Sequence, residues 1–290
     1  MAALAVQTAR GYLALTKPRI LPLVLFTGLP VMSMAAGGWP EPGLACATLL
    51  GIALAAAAAN ALNCYIERDI DARMERTRNR PLPSRQIRAR SALVFGLILA
   101  LLATGLLYAA AGATAAALGV ASILFYVFVY TVWLKPRSPL NAVVGGAAGA
   151  AAPLIADAAV SGSVGAAGWL LFAIIFFWQP PHVWAIALFR KSDYARAGIP
   201  MLPNVIGDQP TRWRMLWCTL ALVPVTLAPV PLELLGAPYL VAALGLNAWF
   251  VWHVVRVLRE RSDAAARRAF RVSLVYLFAL FLAMLVDRAL

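Results

Sequence analysis

Residues 60–84 read NALNCYIERDIDARMERTRNRPLPS, and the change of character inside that stretch decides the fold. Up to Cys64 it is the end of an apolar segment that begins at Leu44; from Tyr65 it becomes a burst of carboxylates and arginines. An apolar run of that length can cross a bilayer as a helix, and the polar burst marks a membrane boundary. Asn63, Glu67 and Asp71 are spaced i, i+4, i+8, so on a helix they share one face, while Asp69 points away. One amide and two carboxylates on a shared face are the oxygen donors that suit Mg²⁺, an ion usually shared with substrate phosphates. Arg73, Arg76, Arg78 and Arg80 follow directly and suit the remaining phosphate charge. The same pattern is compatible with a solvated helix end in which Glu75 pairs with Arg78 or Arg80. Ionisable groups at a membrane boundary are costly, which weights the reading toward function.

Outward from this stretch the chain is built of similar apolar runs. Of 290 residues, 62% are hydrophobic and 13% charged, with a mean hydropathy of +0.79. Nine runs of roughly 17–23 residues stand at about 20–36, 44–64, 92–111, 114–133, 140–156, 167–189, 215–231, 237–255 and 272–286. They are continuously apolar, without the alternation of a membrane barrel, so an all-α polytopic bundle of about nine transmembrane helices around a central cavity is expected, as one domain over 1–290. The net charge of +13 invites a nucleic-acid reading. With nine spans, however, 24 of the 25 Lys and Arg fall on the side of the N-terminus, and only Arg288 falls on the other. The positive-inside rule accounts for that asymmetry without nucleic acid and predicts a cytoplasmic N-terminus, with the polar loops facing the cytoplasm. The first residues lack the charged start and apolar core of a cleavable signal peptide. Cys46, Cys64 and Cys218 show no zinc spacing and read as small apolar residues.

Two further polar clusters follow even-numbered spans or short turns on the same side. In WQPPHVWAIALFRKSDYARAGIPMLPN (178–204), Pro180 and Pro181 are expected to break or kink the helix, freeing carbonyls beside a cavity. His182 follows, and it shares a face with Asp193 if the helix resumes. In YTVWLKPRSPLNAVVGGAAGA (130–150), Lys135 and Arg137 occupy a short turn, and Asn141, Gly145 and Gly149 share a face with GxxxG spacing. Candidates for catalysis are therefore Asn63, Glu67, Asp71 and Asp193, with the first three as metal ligands. Candidates for diphosphate contact are Arg76, Arg78, Arg80, Lys135, Arg137, Arg190 and Lys191. Candidates for an apolar acceptor pocket are His182, Trp178, Trp184, Asn141 and Tyr194. His182 is equally readable as a buried hydrogen-bonded histidine, and His253 is the alternative ligand.

These three segments, with LTKPRI at 15–20, resemble the UbiA superfamily of intramembrane prenyltransferases over essentially the whole chain, and within it the branch that farnesylates heme. The resemblance implies that Asn63, Glu67 and Asp71 bind Mg²⁺ and a prenyl diphosphate. It implies farnesyl transfer from farnesyl diphosphate to a vinyl group of heme b, giving heme O, in a bacterial inner membrane, with heme A synthase or terminal oxidase assembly downstream. Glu67 stands where many relatives carry Asp. The second motif keeps only Asp193, beside His182, Arg190 and Lys191, which argues against a second Mg²⁺ held wholly by protein. A prenyltransferase with an aromatic or chlorin acceptor is the neighbouring reading. A heme or lipid transporter is the reading from another class; the proline break is the one feature that keeps it open, while polar clusters gathered at one rim rather than near the midplane favour an enzyme.

Overall fold

The computed structural model describes residues 2–290, and among them there is no strand. The chain runs through α1 (Ala2–Leu15), α2 (Leu21–Ala35), α3 (Pro42–Asp71), α4 (Ala89–Leu124) with a π-helical continuation Phe125–Leu134, α5 (Asn141–Gly149), α6 (Ala151–Ser161), α7 (Ala166–Phe189), the short α8 (Lys191–Arg196) and α9 (Leu202–Ile206), then α10 (Asp208–Leu227), α11 (Ala237–Glu260) and α12 (Asp263–Ala289). The helices are apolar enough to make this an integral membrane protein of all-α class.

Length and apolarity alone mark six stretches as membrane-crossing, against the nine expected. The difference arises at three places. α2, with 15 residues, is shorter than a bilayer core requires. α10 opens with Asp208, Arg212 and Arg214, which dilute its apolar run. The third place is Ala89–Leu134, counted as one span of 46 residues. A straight helix of that length would reach about 70 Å. Yet Leu107 packs against Gly119, twelve residues later and about 18 Å away on a straight helix. The chain therefore turns back on itself at Gly112, whose φ of 84° is open to glycine and strained for other residues. The turn lies in the gap expected between the third and fourth runs.

α3 is the element that positions the site. Glu41 starts it, its carboxylate accepting from the Gly43 and Leu44 amides at 2.8 and 2.5 Å. Its 30 residues span about 45 Å, against a hydrocarbon core of about 30 Å, so its last turns project to the rim. α4 packs closely on it through small residues: Leu107 fills the space over Gly51, and Leu62 that over Gly96. α12 closes the bundle against α7 and α2, with Phe26 stacked on Phe278 at 4.6 Å.

Candidate active site

The row on α3 is buried: Asn63 is 1% exposed, Glu67 and Asp71 3% each. Each member is met by a cationic side chain from a different part of the chain. Lys17 Nζ donates to Asn63 Oδ1 at 2.8 Å. Lys135 Nζ lies 2.5 Å from Glu67 Oε1. Arg80 Nη1 lies 2.7 Å from Asp71 Oδ2. Asn63 is further oriented by donating from Nδ2 to Thr131 Oγ1 at 3.1 Å. Buried carboxylates are tolerable only with such partners. Three cations against two carboxylates leave the cluster with excess positive charge before any anion enters.

Lys17 holds a left-handed backbone (φ 53°), a conformation that a side-chain-bearing residue keeps only where its surroundings impose it. Burial, with Arg80 and Lys135 close by, lowers its ammonium to about 8, opposed by Cys64 and Glu67. Burial also opposes the charge on Lys135, but Tyr130 and Glu67 outweigh it and hold that ammonium above its usual value.

The loop after α3 folds back over the row. Thr77 donates to the Asp71 carbonyl at 2.8 Å, and Met74 packs among Ala187, Tyr194, Ala197, Ile199 and Met201. Arg73, Arg76 and Arg78 remain exposed on it. Glu75 pairs at 3.6 Å with Arg196, not with Arg78 or Arg80. Asp193 fastens this loop: its Oδ1 accepts from the Glu75 amide at 2.9 Å and from Arg196 Nη2 at 3.0 Å. Burial opposes the Asp193 charge, but Arg196 and the Glu75 and Arg76 amides hold its carboxyl below the usual value. Asp193 is thus seated as a brace between the two polar clusters.

Beside the row lies a cavity of about 540 Å³. At one edge Asn60, Tyr126 and Tyr130 adjoin the charged cluster, Lys135 Nζ standing 5.7 Å from the Tyr130 ring centre. Trp178, His182 and Phe270 line it as well, with mostly aliphatic side chains from α2, α3, α6, α7 and α12 and the glycines of α5 making up the rest. His182 stacks on Trp178 at 4.3 Å. Its Nδ1 shares a 2.7 Å hydrogen bond with Ser273 Oγ, and Trp178 Nε1 donates to the Ser273 carbonyl at 2.9 Å. The imidazole is thereby fixed with Nε2 as its other nitrogen.

Several expected residues lie elsewhere. Trp184 and Tyr194 are packed in the core and do not line the cavity, and Asn141 bonds the Ser138 carbonyl instead. Arg137 caps the Val132 and Trp133 carbonyls, because a helix end leaves acceptors that a nearby arginine can reach. Lys191 pairs with Asp208 at 2.8 Å. Arg190 sits over Phe189. Pro180 and Pro181 do not break α7, which runs to Phe189 and is held on its flanks by α6, α10 and α12. The broken helix on which a transport reading rests is therefore not found. Because α7 ends at Phe189 and α8 is a separate turn, His182 and Asp193 share no continuous face. The glycines at 145 and 149 admit the side chains of Tyr130 and Gln179 rather than a neighbouring backbone. Sequence reasoning missed Lys17, Asn60, Tyr126, Tyr130, Gln179 and Ser273. LTKPRI and the aromatic run before Lys135 carried the signal for Lys17 and the tyrosines; Ser273 had none.

No group of three His, Cys, Asp or Glu side chains is gathered among the described residues. The donors of the α3 row are nevertheless all oxygens, aligned on one face and already engaged by positive charge, which fits a hard divalent cation with water and phosphate completing its shell.

Residues 24–285 match the UbiA prenyltransferase family. The chain is 48% identical over 289 residues to a protein of Acidiphilium cryptum (strain JF-5) called protoheme IX farnesyltransferase, covering 97% of this chain and 91% of that one. It is 48% identical over 280 residues to a protein of the same name from Azoarcus sp. (strain BH72), covering 96% and 94%. Its fold is similar to that of a digeranylgeranylglyceryl phosphate synthase structure (TM-score 0.81, 18% identity, 97% and 98% covered). It is also similar to a UbiA homolog from Archaeoglobus fulgidus bound to DMAPP and Mg²⁺ (TM-score 0.65, 16% identity, 95% and 99% covered).

Proposed function

The chain belongs to the UbiA prenyltransferase family, and on that footing we propose that it transfers the farnesyl group of farnesyl diphosphate to a vinyl group of heme b, forming heme O. The observation that carries this reading is the buried Asn63–Glu67–Asp71 row, with one cation on each member, set beside an apolar cavity that His182 also lines.

Asn63, Glu67 and Asp71 would hold Mg²⁺, which when bound supplies charge neutralisation for the departing diphosphate. Lys17, Arg80 and Lys135 then turn from these oxygens to the diphosphate, so that the negative charge developing on it meets preorganised donors. The Asp193-braced loop brings Arg76 and Arg78 to the same anion. As the C1–O bond of farnesyl breaks, the allylic cation lies in an aliphatic cavity that keeps water from it. The Tyr126 and Tyr130 rings at that edge can stabilise positive charge through their faces. The heme vinyl carbon attacks C1, and water adds to the resulting cation beside the macrocycle with loss of a proton, leaving the hydroxyethylfarnesyl group. His182, oriented by Ser273, ligates the heme iron. The positive-inside asymmetry supports a site on the cytoplasmic side, and on this reading the membrane is a bacterial inner membrane and heme A synthase or oxidase assembly would consume the product.

Purified protein incubated with heme b, farnesyl diphosphate and Mg²⁺ is expected to yield a farnesylated, hydrated heme by mass spectrometry. Failure to form that adduct, or undiminished turnover in EDTA, would reject the reading.

A further inference from the structure

Arg190, just after α7, was expected among the diphosphate ligands, but it makes no hydrogen bond or ion pair with the Lys17–Arg80–Lys135 cluster. Its guanidinium lies 6.0 Å from the Phe189 ring centre, and that of Arg267, on the second turn of α12, lies 4.7 Å from the same ring. Phe189 meets Phe270 edge-on at 6.2 Å, and Phe270 meets His182 at 4.8 Å. Aromatic contacts thus lead without a gap from the cavity wall to two guanidinium groups. Among the described residues neither arginine has a carboxylate partner. Two cations gathered on one ring without an acid repel each other unless an anion joins them, and a guanidinium fork matches a carboxylate.

We propose that Arg190 and Arg267 form a carboxylate site that holds the two propionates of the acceptor heme, so that its opposite, vinyl-bearing edge points into the cavity. This rests on the acceptor reading above. Phe189 lies seven residues beyond His182, two helical turns or about 10 Å. That separation is comparable with the distance from a porphyrin centre to its propionate carboxyls. Iron near His182 with propionates at Arg190 and Arg267 turns the vinyl groups toward Tyr126 and Tyr130, the edge where the diphosphate cluster begins. The site is therefore a specificity device: it selects which edge of a nearly symmetric macrocycle is alkylated.

The test is a spectral titration of the full-length protein in detergent with heme b and with its dimethyl ester, in which the propionates are uncharged. Wild type is expected to bind heme b at least about tenfold tighter than the diester. Arg190→Gln and Arg267→Gln should each lose most of that preference by weakening heme b alone, with the KM for farnesyl diphosphate unchanged, which also reports that the variants are folded. Arg267→Lys should restore part of the preference, and Arg268→Gln, on an exposed neighbour, should keep all of it. Wild type that turns over heme b yet binds the two porphyrins equally overturns the proposal alone. So does a preference intact in both Gln variants, or a raised KM for farnesyl diphosphate in them, which would return these arginines to the diphosphate. Wild type that binds neither porphyrin but prenylates another acceptor overturns the acceptor reading, and this proposal with it.

Discussion

Replacing Asp193 separates a brace from a metal ligand. In Asp193→Ala the Glu75 amide loses its 2.9 Å acceptor, and a buried donor left unsatisfied costs about 1–3 kcal/mol. The Arg196 contact adds only about 0–1 kcal/mol, since that side chain is 55% exposed. A total near 3 kcal/mol raises the population of the undocked loop about 100-fold, at about 1.4 kcal/mol per tenfold. Arg73, Arg76, Arg78 and Arg80 ride on that loop, so limited trypsinolysis in detergent should cut it much faster in the variant. The KM for farnesyl diphosphate should rise, while heme affinity and the Mg²⁺ concentration for half-maximal rate stay as in wild type. Asp193→Asn, which keeps one acceptor, should fall between the two. The carboxyl is held below its ordinary value of 3.8, so its share of loop docking is fully present above that pH. That share is lost as pH falls through the lower folded value; cleavage should be flat from neutral to about pH 5 and rise only in stronger acid. An unchanged cleavage rate in Asp193→Ala, or a Mg²⁺ requirement shifted tenfold with the loop still protected, would refute the brace and restore Asp193 as a ligand.

Glu67→Gln leaves Lys135 buried beside a neutral amide and should cost about 3–5 kcal/mol as well as turnover, whereas Glu67→Gln with Lys135→Met should recover thermal stability in detergent but not activity. His182→Ala should remove the Soret shift seen on heme titration, with Ser273→Ala weakening it in part through loss of the 2.7 Å bond; an unchanged spectrum in His182→Ala would make the ring structural. Gly145→Ala drives a Cβ against the edge of the Tyr130 ring, so thermal stability should fall by about 1–3 kcal/mol or the KM for farnesyl diphosphate should rise, while Gly105→Ala, which meets nothing, should be neutral or stabilising.

What the sequence by itself determined is what depends on short-range periodicity. The length of the Leu44–Cys64 run and the 3.6-residue turn were enough to put Asn63, Glu67 and Asp71 on one face of a helix end and to turn Asp69 outward, where its side chain is 80% exposed. The same reading marked a gap at Gly112 and a membrane bundle without strands. Which cation meets which oxygen was decided by tertiary structure alone. Lys17 reaches Asn63 across 46 residues and Asp193 reaches the Glu75 amide across 118, and no local pattern records a contact that depends on how helices pack. The cavity wall was hidden for the same reason: Tyr130 and Gln179 project into it because Gly145, Gly146 and Gly149 leave room, which is visible only once the π-helical Phe125–Leu134 segment and α7 both pack on α5. At Pro180 and Pro181 local sterics forecast a break or a kink, whereas α7 runs on through them as one helix packed by α6, α10 and α12, because packing of whole helices outweighs one or two missing backbone hydrogen bonds.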